Sequence, residues 1–267
     1  MVFCNLCGGL GNMLFQIAAT ISISKQNAQN YSFPNLYEHL SYLNYETVYN
    51  PSLNHSNEYM DLLYKLPMHQ PLHDTRLVPY PFHYVEQIIY PNENITLLGY
   101  FQSEKYFKDS RDEILNVFDF EYVKQKAPID FFEFGKKRYT SIHVRKGDYV
   151  NLQTFYHPLT KEYYDSAIEI LRDKTDEFLV FSDDINTCKE MFYELKNVRF
   201  IENQKDYIEL YLMSLCDNNI IANSSFSWWG AWLNKNENKI VVAPNNWFGP
   251  SISEYSGDII PEKWLKI

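Results

Sequence analysis

The sequence predicts an α/β protein built on parallel sheets, and three observations carry that reading. Between residues 140 and 243, short apolar or β-branched runs alternate with amphipathic stretches, the order that a parallel sheet wound by right-handed crossovers requires. The amino terminus shows the same unit once, as strand, glycine loop and helix. No apolar run reaches the ~20 residues of a membrane-spanning helix, and 267 residues suffice for one large domain or two small ones.

Residues 2–6 form a short apolar run that predicts the first strand. Gly8, Gly9, Gly11 and Asn12 follow, and then residues 13–24 place Leu14, Ile17, Ala18 and Ile21 at helical spacing. Such a loop presents backbone N–H groups and a helix amino terminus to an anion or a polar ligand edge; a turn that only lets the helix pack closely is the competing reading. Leu14 stands where a dinucleotide fingerprint has its third glycine, and the loop lacks the Lys-Ser/Thr of a P-loop. Residues 35–94 are rich in Tyr, Asn, His and Pro with little periodicity, which predicts irregular loops and a short helix near 59–66. Regular structure resumes with a strand at 95–99 and a helix at 109–117.

Pro128 and Gly135 mark residues 120–137 as a predicted interdomain connection, giving domains of 1–125 and 126–267. Beyond it the pattern predicts strands at 140–144, 178–182, 198–201, 220–223 and 239–243. Helices are predicted at 161–172, 185–195, 205–217 and 226–233, hence a Rossmann-like domain.

Composition excludes some functions. Lys and Arg total 24 against 34 Asp and Glu, a net charge of −10, so the broad positive field that nucleic-acid binding needs is missing. Cys4, Cys7, Cys188 and Cys216 are too few and too scattered for a disulfide framework, and the Cys4/Cys7 pair has no second pair at zinc spacing. Without a basic, apolar leader pattern at the amino terminus the expected location is cytoplasmic. No His/carboxylate cluster has metal spacing, so no metal and no other cofactor is expected.

Chemistry concentrates at three strand ends. The 140–144 strand delivers His143 and Arg145, followed by Gly147 and Asp148; the guanidinium's planar fork of donors matches phosphate oxygens, with pairing to Asp148 as the structural alternative. The 178–182 strand ends in Asp183 and Asp184. One of these caps the next helix, and Asp183 remains able to accept from a guanine edge. The 220–223 strand runs through Ser224 and Ser225 into Phe226, and helix-opening serines either cap the helix or hold phosphate. Trp228, Trp229 and Trp232 share one helix and read as core.

These residues resemble a known family. HVRKGDY at 143–149, GGLGNMLFQ at 8–16, GYFQSEKYF at 99–107 and SFSWWGAWL at 225–233 look like the motifs of the family 11 glycosyltransferases, the α-1,2-fucosyltransferases, in the family's order along nearly the whole chain. Met13 departs from the usual Gln. The resemblance implies a GT-B fold of two facing Rossmann-like domains, and inverting, metal-independent transfer of fucose from GDP-β-L-fucose to the 2-hydroxyl of a terminal galactose or similar sugar on a glycan. It implies that Arg145 holds the diphosphate, that His143 contacts donor ribose or phosphate, and that Gly9, Gly11 and Asn12 reach the donor from the amino-terminal domain. Asp183 would read guanine, while Ser224, Ser225 and Phe226 line the β-phosphate. With no metal, fixed cations and N–H dipoles must meet the charge growing on the leaving group, and Asp148 is the candidate general base. A donor such as GDP-mannose, or a catalytically idle carbohydrate-binding protein, are the rival readings.

Overall fold

The computed structural model describes residues 1–49, 59–71, 74–86, 93–118, 120–147, 154–251 and 257–267. The chain divides into two compact units, Met1–Val48 with His55–Phe120 and Glu254–Pro261, and Tyr49–Asn54 with Glu121–Ser253 and Glu262–Ile267. A single break at 125/126 therefore differs from the fold in two respects. That point lies inside helix α5 (Phe120–Lys126), and the chain returns to the first unit at Glu254–Pro261 before ending in the second.

The first unit holds a parallel sheet of β1 (Val2–Cys4), β2 (Tyr31–Ser32), β3 (Arg76–Pro79) and β4 (Ile95–Leu98), in the order β2-β1-β4-β3. Helix α1 (Leu10–Gln26) is buried on almost every face, as an apolar helix in a core must be. Two of its hydroxyls are satisfied locally, Thr20 donating to the Gln16 carbonyl at 2.6 Å and Ser24 to that of Ile21 at 2.7 Å, while Ser22 accepts from Ser110 at 3.1 Å. Helices α2 (Leu36–Tyr49), α3 (Tyr59–Leu63) and α4 (Arg111–Val117) complete the unit.

Residues 35–94 are more regular than their composition predicts. Leu36, Leu40 and Leu43 recur at i, i+4 and i+7 and are all buried, so α2 exists because three leucines outweigh the Tyr and Asn around them. Strand β3 shows no apolar alternation because it is an edge strand exposed at Arg76, Leu77 and Pro79, where proline is tolerated.

The second unit is a six-stranded parallel sheet in the order β10-β9-β8-β5-β6-β7. Its strands are β5 (Tyr139–Val144), β6 (Glu177–Ser182), β7 (Val198–Phe200), β8 (Asn218–Ile220), β9 (Val241–Ala243) and β10 (Leu265–Lys266). Helices α6 (Lys161–Leu171), α7 (Ile185–Met191), α8 (Asp206–Leu215) and α9 (Ser225–Leu233) link them. All six residues of β5 are buried. Ile142, Val144, Phe178, Val180, Tyr164, Ile168 and Phe192 form its core. Trp228 and Trp229 are fully buried, and Trp228 lies 5.3 Å from the ring of Trp264, so this aromatic cluster is a packing device.

Candidate active site

In the second unit the chain leaves β5 toward β6 and β7, then crosses back to β8 on the other side of β5. The carboxyl ends of β5 and β8 therefore flank a topological switch point, where open α/β sheets leave a crevice for ligands. Strand β5 brings His143 and Arg145 to that end, β6 brings Asp183 and Asp184, and β8 leads through Asn223 into α9.

Arg145 lies 2.9 Å from Oδ2 of Asp183, with the carboxylate only 6% exposed. The second oxygen of Asp183 accepts the Lys146 backbone N–H at 2.9 Å. Gly147 is glycine for a steric reason. A Cβ there would come within 2.5 Å of Asp183 Oδ2, so any side chain would push the carboxylate off the arginine. Asp183 is thus the ion-pair partner of Arg145, although its Oδ2 accepts no hydrogen bond; Asp148, the candidate base whose structural alternative was that pairing, lies outside the described residues. Asp184 is the N-cap of α7, accepting from the Thr187 N–H at 3.2 Å and its hydroxyl at 2.6 Å, bonds that hold its carboxyl below the usual range.

His143 is buried, and burial first and the Arg145 charge second push its imidazole down to about 3, so the ring is neutral. Its Nδ1 has no hydrogen-bond partner, and its ring lies 5.5 Å from that of Phe226. Ser224 is the N-cap residue of α9, but its side chain makes no capping bond; Ser225 and Phe226, the first residues of the helix, are partly buried. Asn223 is pinned instead, donating to the carbonyls of His157 at 2.8 Å and Trp247 at 2.9 Å. The structure therefore gathers His143, Arg145, Asp183 and Phe226 by contact, and brings Ser224 and Ser225 beside them on α9.

Glu209 is the residue that sequence reasoning missed. It sits in α8, only 8% exposed, and burial, reinforced by the charges of Asp206 and Asp183, pushes its carboxyl well above the usual range. The signal was present as one acid inside the apolar run 207–213.

In the first unit, Gly9 is the N-cap of α1, with Gly11 and Asn12 in its first turn. Gly8 has φ +74° and its missing Cβ would lie 2.6 Å from Asn12 Nδ2, so the asparagine carboxamide folds over a position only glycine can occupy. His39 Nε2 and the Gly8 carbonyl, 2.8 Å apart, tie the loop down.

The family model described as Glycosyl transferase family 11 matches residues 2–267. The chain belongs to glycosyl transferase family 11. An alpha-1,2-colitosyltransferase of Escherichia coli is 36% identical over 183 residues, 65% of this chain and 63% of that protein. The O-antigen biosynthesis glycosyltransferase WbnK of Escherichia coli is 38% identical over 165 residues, 57% of this chain and 55% of that protein. The matched segments thus span less than two thirds of either relative. Among solved structures, fucosyltransferase NodZ from Bradyrhizobium superposes with a TM-score of 0.54 at 11% identity, covering 86% of this chain and 91% of that one. NodZ alpha-1,6-fucosyltransferase co-crystallized with GDP gives 0.52 at 12% identity, covering 86% and 90%. The shared fold is α/β of the GT-B type, with two parallel-sheet units. Among the described residues no group of three or more His, Cys, Asp or Glu could hold a metal ion, and no helix is long and apolar enough to cross a membrane.

Proposed function

We propose that this family 11 protein transfers L-fucose from GDP-β-L-fucose to the 2-hydroxyl of a terminal galactose on a glycan, with inversion and without a metal. The observation that carries the reading is Arg145, held by Asp183 at the switch point of the second sheet beside the start of α9. As the acceptor oxygen bonds to C1 of the donor sugar, the bond from C1 to the diphosphate oxygen breaks and its electron pair leaves with GDP. Arg145, already oriented, and the N–H groups opening α9 meet that charge. Neutral His143 contributes a polar ring without adding a second positive charge. Asp183 orients Arg145 as its ion-pair partner, and because its Oδ2 accepts no hydrogen bond within the fold it keeps an acceptor for a guanine edge. The acceptor's proton passes to a carboxylate, for which Asp148 is the candidate.

NodZ, which shares the fold, was crystallised with GDP, and this supports a guanine nucleotide donor. A second reading follows from the relative named as an alpha-1,2-colitosyltransferase, since colitose is fucose without its 3-hydroxyl. Release of GDP or UDP, measured with GDP-fucose, GDP-colitose, GDP-mannose and UDP-galactose in the presence and absence of lactose, tests all of these. Lactose-stimulated release from GDP-fucose is expected. A preference for GDP-colitose selects the second reading, and no release from any donor returns the chain to carbohydrate binding alone.

A further inference from the structure

We propose that Gln102, in the first unit, is a specificity-determining residue whose side chain hydrogen-bonds a pyranose hydroxyl. In the order β2-β1-β4-β3 the chain leaves β1 toward β2, then crosses to β3 at the opposite edge before filling in β4, so the carboxyl ends of β1 and β4 lie side by side where the winding changes side. The loop after β1 carries Gly8 to Asn12, and the loop after β4 carries Gly99 to Ser103.

Two side-chain amides join these loops. Gln16 accepts the Cys7 N–H at 3.0 Å and donates to the Gly99 carbonyl at 3.1 Å, bracing one loop against the other. Gln102 donates through Nε2 to Asn12 Oδ1 at 3.0 Å. Its Oε1 is buried and has no partner, although the residue is only 7% exposed. A buried amide with one half unmet needs a reason. Turning both amides over would leave the NH2 unmet instead, so one polar atom of Gln102 lacks a partner in either orientation. A hydroxyl, both donor and acceptor, serves either case.

The backbone holds this atom in place at a cost. Phe101, fully buried, has φ +54°, a conformation that bulky residues avoid and that concentrates at ligand sites. Its ring is clamped 4.8 Å from Tyr80 and 5.4 Å from Tyr106, and its carbonyl accepts the Ser103 N–H at 2.7 Å. Beside Gln102 lies the first turn of α1, a 17-residue helix whose N-cap Gly9 supplies no side-chain acceptor. An unmet acceptor next to helix N–H donors matches adjacent hydroxyls on a ring, each giving one bond and taking another.

The inference rests on the glycosyl-transfer reading, in which both the donor and the acceptor offer such a ring. The test compares the whole protein with Gln102→Met on substrates that differ by one hydroxyl. The donor arm uses GDP-fucose and GDP-colitose, and the acceptor arm uses a galactoside and its monodeoxy analogues. Rates and calorimetric binding are both measured, with GDP affinity as the control. Gln102→Met should lower kcat/KM about tenfold for the substrate that bears the hydroxyl read here and leave its deoxy partner nearly unchanged. The arm showing that non-additivity names the ring. Gln102→Asn, which withdraws the oxygen by one bond while staying polar, should lose the same discrimination and carries the test if Gln102→Met does not fold. Losses that multiply independently for every pair in both arms overturn the proposal. A parent protein that binds and discriminates the sugars but transfers none overturns the function instead and leaves this subsite standing.

Discussion

Arg145 and Asp183 meet 2.9 Å apart although they leave different strands, and the carboxylate is held in turn by the N–H of Lys146, the residue next to its partner. The ion pair therefore orients the guanidinium before any ligand arrives. A preorganised cation loses nothing to reorientation as charge develops on a leaving group.

Arg145→Lys keeps the charge but exchanges a planar fork for a point charge. The expected result is a fall in kcat of about 100- to 1000-fold, a smaller rise in donor KM, and a Tm close to that of the parent. Near-normal kcat would return Arg145 to a structural role.

Asp183→Asn should act on both stability and rate. The amide can still accept the Lys146 N–H but no longer neutralises Arg145, so we expect a loss of about 1–3 kcal/mol, or about 2–4 °C in Tm per kcal/mol, together with a lower kcat. Unchanged Tm with a selective loss of GDP affinity would make contact with guanine, not support of Arg145, the main work of Asp183.

His143 and Glu209, both buried, should leave opposite signatures in thermal denaturation against pH. The folded pKa of His143 is depressed to about 3, so the unfolded chain binds more protons than the folded one below about pH 6.5, and stability falls with acid. At pH 5 the cost is about 2 kcal/mol, and His143→Gln should remove most of it. Glu209 is raised, so the folded chain holds a proton that the unfolded one releases above about pH 4.5, and stability falls as pH rises. Glu209→Gln should raise Tm at pH 8 and leave it about equal at pH 4. Parallel curves for parent and variant would show that Glu209 ionises freely.

Transfer should survive excess EDTA, because the reading gives charge neutralisation to Arg145 and backbone dipoles. Loss of turnover on chelation, restored by magnesium or manganese, would place a metal in the reaction.

The sequence by itself determined most element types of the second unit, since each rests on a local period of apolar residues; it missed α5 and the two-residue β10, and its strand at 220–223 meets β8 only at Ile220. The predicted strand at 140–144 and helix at 161–172 differ by about a residue from β5 and α6. It also brought His143, Arg145 and Asp183 forward as strand-end residues, with Phe226 added by the family resemblance. Periodicity failed where burial is one-sided or brief, as for edge strand β3, the two-residue β2 and the sparse leucines of α2. Only the tertiary structure decided that Asp183 anchors Arg145, that Gly147 is glycine because that carboxylate fills its Cβ space, and that Glu209 and Gln102 are buried. Those facts depend on which strands are neighbours. Strand order is set by packing between residues far apart in the chain, and no local pattern encodes it.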